Sequence, residues 1–63
     1  MERTEQQFTA AGQEYRIWQG TDAEGRRVFA AAPEGREPTG NRIFYDLDSC
    51  IGAITEDAED LND

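Results

Sequence analysis

Only one stretch of the chain repeats its apolar residues at helical spacing, and it lies at the C-terminal end. In "DLDSCIGAITEDAEDLND", residues 46 to 63, Leu47, Cys50, Ile51, Ile54, Ala58 and Leu61 fall three and four positions apart. That spacing lines them along one helical face. Asp46 stands before the run as an N-cap, with Asp48 and Ser49 in the first turn. Gly52 weakens the helix interior by about 1 kcal/mol relative to alanine. No earlier segment shows this period. The rest of the fold must therefore come from extended segments that this one helix covers.

Two turn signals organise those segments. In "QQFTAAGQEYRIWQG", Ala11-Gly12 separates a short extended run around Phe8 from a β-rich run with Tyr15, Ile17 and Trp18. A two-residue loop sets Phe8 opposite Tyr15. A three-residue loop with a glycine bulge moves Phe8 to the other face, and the sequence leaves both open. In "YRIWQGTDAEGRRVFAAAP" the loop is Asp22-Ala23-Glu24-Gly25, with Asp at its start and Gly at its end. Pairing Thr21 with Arg26 then puts Trp18 opposite Phe29 and Ile17 opposite Ala30. One face would hold Tyr15, Ile17, Val28, Ala30 and Ala32. The other would hold Arg16, Trp18, Arg27, Phe29 and Ala31. Pro33 ends the third strand.

The segment "PEGREPTGN" reads as a polar loop, after which Ile43-Phe44-Tyr45 re-enters the core as a short extended piece. The predicted fold class is α+β: a three-stranded antiparallel meander followed by one helix, in the order βββα. The helix is expected on the Tyr15–Ile17–Val28–Ala30 face, where small alanines allow close approach.

With 63 residues there is room for one domain, residues 1 to 63. A chain this short buries about 60% of its unfolded surface, so the core is small. Cys50 is the sole cysteine, which excludes an internal disulfide. It falls on the apolar stripe and reads as a buried structural thiol. There is no histidine, which removes the usual general base and the commonest metal ligand. The opening residues Met1 to Glu5 hold no apolar run, and no stretch approaches a membrane span. These features point to the cytoplasm.

Charge is divided unevenly. Residues 1 to 45 hold seven acids and six arginines, while residues 46 to 63 hold seven acids and no base. Nearly all of the net charge of −8 therefore lies in the C-terminal stretch. Glu56, Asp57, Glu59 and Asp60 sit where the helix should end. There each acid opposes the helix dipole by about 0.3–1 kcal/mol. Glu56 and Asp60 also form an unfavourable like-charge pair. Residues 56 to 63 are either a frayed, solvated tail or an anionic surface for a basic partner. Asp46 and Asp48 are favourable at the helix start, and they are secondary candidates for that surface.

On the uncovered sheet face, Trp18 and Phe29 form either a stabilising cross-strand pair or an aromatic contact patch flanked by arginine. Such a patch also suits single-stranded nucleic acid, but the acidic balance opposes direct nucleic-acid binding. "EGREPTG" lacks the lysine and spacing of a phosphate loop, and "DAEDLND" lacks the pattern of a calcium loop. No catalytic residue, cofactor or metal site is expected, and the chain is read as a non-enzyme.

The order "FTAAGQEYRIWQG…RRVFAAAP…RIFYDLDSCIGAI…" resembles the anti-CRISPR proteins, small acidic inhibitors of bacterial Cascade complexes. It looks like one directed at the type I-C complex. The resemblance implies a phage or mobile-element protein in a bacterial cytoplasm. Such a protein would occupy a basic DNA-handling surface of a Cascade subunit and block target DNA binding. These proteins share no common signature, so the resemblance assigns no individual residue. The expected partner contacts come from the surface chemistry instead: Asp46, Asp48, Glu56, Asp57, Glu59 and Asp60, with Trp18 and Phe29. The chain is expected to act as a monomer. A different reading is an accessory module of a mobile element that pairs through the Trp18/Phe29 face or by homodimerisation.

Overall fold

A computed structural model describes residues 1–38 and 42–61, without the side chain of residue 61. Strands β1 (Glu2–Ala10), β2 (Gln13–Thr21) and β3 (Arg27–Pro33) form one antiparallel sheet in the order β1-β2-β3. Helix α1 (Leu47–Leu61) follows and packs against β1 and β3. This is the βββα architecture expected from the turn signals and the single helical stripe.

The first turn takes the shorter of the two loops. Phe8 pairs with Tyr15 and Ala10 with Gln13, leaving only Ala11 and Gly12 between the strands. Both have positive φ, 50° and 78°. That is the type I′ geometry, whose twist matches the flanking strands. Phe8 and Tyr15 stack with ring centroids 5.3 Å apart.

β1 is longer than the short run around Phe8. It extends back to Glu2, which pairs with Gln19. The pairing is interrupted between Arg3 and Gln7, so Thr4, Glu5 and Gln6 face the single residue Ile17. Such a bulge strands backbone groups, and Thr4 rescues two of them. Its hydroxyl donates to the Ile17 carbonyl at 2.7 Å and accepts from the Gln6 amide at 3.2 Å. No apolar alternation marks this half of the strand, which is why the sequence pattern missed it.

The second turn corrects the expected register. Asp22 accepts from the Gly25 amide at 3.0 Å through its carbonyl, closing a type I turn. Its carboxylate accepts from the amides of Glu24 and Arg26, each at 2.9 Å. Gly25 adopts φ 82°, which adds one residue before pairing resumes. Thr21 therefore pairs with Arg27 instead of Arg26. Slipping one residue inverts every side chain of β3 relative to β2. Trp18 now lies opposite Ala30, Ile17 opposite Ala31, and Phe29 opposite Gln19.

The expected face of Tyr15, Ile17, Val28, Ala30 and Ala32 is consequently split. Tyr15 and Ile17 share a face with Phe29 and Ala31, while Val28, Ala30 and Ala32 share the other with Arg16 and Trp18. Burial occurs on both faces, with Ile17 at 1% exposure and Ala30 at 1%. The other buried apolar residues are Ala10, Val28, Ala32, Cys50 and Ala58. Ile17 and Cys50 are the largest side chains fully enclosed. Burying one such isoleucine contributes about 1.5–3 kcal/mol, so this core leaves little margin.

Past β3, the chain returns to lie along its outer edge. The amides and carbonyls of Phe29 and Phe44 exchange hydrogen bonds of 2.7 and 2.8 Å. This single bridge is the short extended piece expected near Phe44, but the segment does not re-enter the core as a whole: Phe44 is half-buried, while Ile43 and Tyr45 are exposed. Asp46 then caps α1: its carboxylate accepts from the Ser49 amide at 3.0 Å, and its carbonyl accepts from the Cys50 amide at 3.1 Å. The helix continues past Thr55 to Leu61, so Glu56 to Asp60 are helical. The remainder of the acidic tail, the expected stripe contact of the Leu61 side chain and residues 39–41 of the polar loop lie outside the described residues.

Candidate interaction surface

Helical spacing decides where the C-terminal acids point. Leu47, Cys50, Ile51, Ile54 and Ala58 face inward and are buried or half-buried. Asp48, Gly52, Glu56 and Glu59 succeed one another at steps of four and three on the opposite side, with Asp60 beside them. All five are exposed. The last turn holds no basic residue. The outcome is an anionic ridge along the solvent side of α1 that local electrostatics alone disfavours at its C-terminal end.

Two candidate acids are committed elsewhere. The Asp46 carboxylate is occupied by the cap, since it accepts from the amide and hydroxyl of Ser49. Asp57 lies off the ridge and forms an ion pair with Arg42. The Arg42 guanidinium also sits 5.7 Å from the centre of the Phe44 ring. This contact joins the helix to the segment that bridges β3.

The aromatic candidates are not brought together. Trp18 and Phe29 lie on opposite faces of the sheet because of the Thr21–Arg27 register. Phe29 is half-buried and bound through its backbone to Phe44. Trp18 is half-buried, and its indole Nε1 is enclosed with no hydrogen-bond partner. No joint Trp18/Phe29 patch exists. Arg16, which shares the face of Trp18, binds Glu34.

That Arg16–Glu34 contact belongs to a clasp that sequence reasoning missed. Arg16 donates to both Glu34 carboxylate oxygens, at 3.1 and 3.0 Å, and Arg3 donates to one of them at 2.8 Å. Arg16 also donates to the Thr4 carbonyl at 3.3 Å. The hydrogen bonds from Arg16 and then Arg3 hold the Glu34 carboxyl below its ordinary pKa. The partners are 18 and 31 positions apart, and no short motif announces such a contact.

A second missed contact ties the β2–β3 turn to the start of α1. The Tyr45 hydroxyl donates to the Asp22 carboxylate at 3.1 Å, and Arg26 lies 5.7 Å from the Tyr45 ring centre. The Arg26 amide, with help from Tyr45 and two further amides, lowers the Asp22 pKa. Burial pushes the Cys50 thiol up, which keeps it protonated and unreactive.

Two of the clefts on the surface of the described residues are of note. One of about 460 Å³ is lined by Met1, Glu2, Gln19, Gly20, Thr21 and Arg27. The other, about 230 Å³, lies beside Arg3, Arg16, Trp18 and Arg36. Among the described residues, no helix is long and apolar enough to cross a membrane. Comparison with models of protein families, with curated proteins and with solved structures finds no match.

Proposed function

We propose that the chain is a non-enzymatic inhibitor whose acidic helix ridge docks on a basic, nucleic-acid-handling surface of another protein. The observation that supports this is the ridge itself. Asp48, Glu56, Glu59 and Asp60 are exposed on one side of α1, without a base in the last turn. A helix that serves only as a lid for the sheet gains nothing from like charges at its negative end. On docking, those carboxylates meet opposite charge and take the place of the phosphates that such a surface normally binds. A Cascade complex is the partner that the sequence resemblance points to, and blocked DNA binding is the result.

The test is a Glu56→Gln/Glu59→Gln/Asp60→Asn variant titrated against a reconstituted type I-C Cascade complex over a range of NaCl. Wild-type binding should weaken steeply with salt, while the variant binds at least about tenfold more weakly with a shallower salt slope. The same variant should unfold at higher urea, with a gain of about 0.3–1 kcal/mol for each acid removed near the helix end. Undiminished inhibition in a stabilised variant would reduce the ridge to a solubility device.

A further inference from the structure

Among the described residues, β1 has β2 on one side and no strand on the other. The opposite edge of the sheet differs, because Phe44 pairs with Phe29 there. An open edge presents unpaired N–H and C=O groups, and natural sheets protect it with charges, prolines or bulges. The N-terminal half of β1 is protected in this way by Glu2, Arg3 and Glu5 and by the bulge over Thr4–Gln6. The stretch from Gln7 to Ala10 has no charge, no proline and no bulge, and Gln7 and Thr9 are exposed.

The first turn fixes which groups face outward. Ala10 and Gln13 flank a two-residue loop and form a hydrogen-bonded pair, as do Phe8 and Tyr15 two positions on. Gln7 and Thr9 alternate with them and turn their N–H and C=O groups away from β2.

We propose that this half-edge is a self-association surface, on which a second copy of the chain pairs its β1 antiparallel about Phe8. The two sheets then join into one of six strands across a two-fold axis. Gln7 of each copy lies opposite Thr9 of the other, and each such pair exchanges both N–H···O bonds. Phe8 lies opposite Phe8 in the close, non-hydrogen-bonded position between them. Since Phe8 already stacks on Tyr15, the ring row continues through the junction. Centring the pair on Gln7 sets Thr9 against Glu5 in the bulge, and centring it on Thr9 sets Gln7 against the turn. Only the Phe8 centre uses both outward-facing residues of each copy.

This association does not depend on the function proposed above, and its salt response is opposite. Each copy carries −8, so screening strengthens the dimer. Sedimentation equilibrium in about 0.5 M NaCl, from about 10 μM to about 1 mM protein, should show a dimer that weakens at low salt. Gln7→Lys/Thr9→Lys sets lysine against lysine at both pairs and should weaken it at least about tenfold. Gln7→Lys/Thr9→Glu sets lysine against glutamate and should restore it to near the wild-type affinity. Both positions are exposed, so circular dichroism should be unchanged in each variant. A chain that stays monomeric throughout overturns the proposal, as does a dimer equally stable in both variants. Gln7 and Thr9 amides that gain exchange protection only when a different protein is added assign the edge to a foreign strand, which also overturns it.

Discussion

Gly52 is the plainest local compromise in the molecule. It lies within α1, it is exposed, and a Cβ added there would meet nothing within 4 Å. Gly52→Ala should raise stability by about 1 kcal/mol in urea unfolding, with partner binding unchanged unless the contact extends across the ridge. Glu34 allows a sharper test, because its role depends on its charge. Its carboxyl is held low in the folded chain by Arg16 and Arg3, so its contribution is present at neutral pH. That contribution fades as acid protonates it, through the range below about pH 4.3. Glu34→Gln should therefore lower the urea midpoint at pH 7, and the gap from wild type should narrow as the pH falls below the ordinary carboxylate range. A gap independent of pH would assign the effect to packing. Some of this detail could be read in the chain. Asp22 followed by Gly25 announced a turn, and Asp46 announced a cap. Glu34 was not legible, because its arginines come from strands whose alignment had first to be known.

Among the elements, the helix was the most legible and the sheet register the least. Six apolar positions at steps of three and four leave one solution for a helix face. A strand reads less securely. A four-residue loop would pair Trp18 with Phe29, whereas the turn with Gly25 in positive φ adds one residue and parts them. The first half of β1 was hidden because Glu2 to Gln6 are all polar. Those residues are held by Thr4, which substitutes side-chain hydrogen bonds for the missing ladder. Thr4→Val keeps the shape of the side chain but leaves the Ile17 carbonyl unpaired beside a buried residue. The expected loss is about 1–3 kcal/mol by chemical denaturation. Amide exchange should accelerate first at Gln6 and its neighbours, and faster exchange confined to the β2–β3 turn would contradict this account.

The molecule as a whole draws its stability from few groups. Its buried apolar set consists mainly of alanines, with Ile17 and Cys50 the largest side chains fully enclosed. Three contacts that span the chain supplement that core: Glu34 with Arg3 and Arg16, Tyr45 with Asp22, and Arg42 with Asp57. Cys50 reports on the integrity of the assembly, since burial both shields its sulfur and raises its pKa. A thiol reagent should label the native chain at least about a hundredfold more slowly than the urea-unfolded chain, with labelling following the unfolding curve. Fast labelling of the native chain would mean that the helix lifts from the sheet on its own.

The β1 bulge also bears on how the chain tolerates changes of length. Three residues of β1 face one of β2, a surplus of two. Two is the smallest insertion that leaves every side chain of a strand on its original face. Losing the pair would shorten the strand and straighten its edge while Arg3 stayed on the face it shares with Arg16. Losing one residue would turn Arg3 to the other face and detach it from Glu34. Evolution can therefore add or remove material here in pairs, and the reading frame of the sheet, like that of a gene, survives only when the step matches its period.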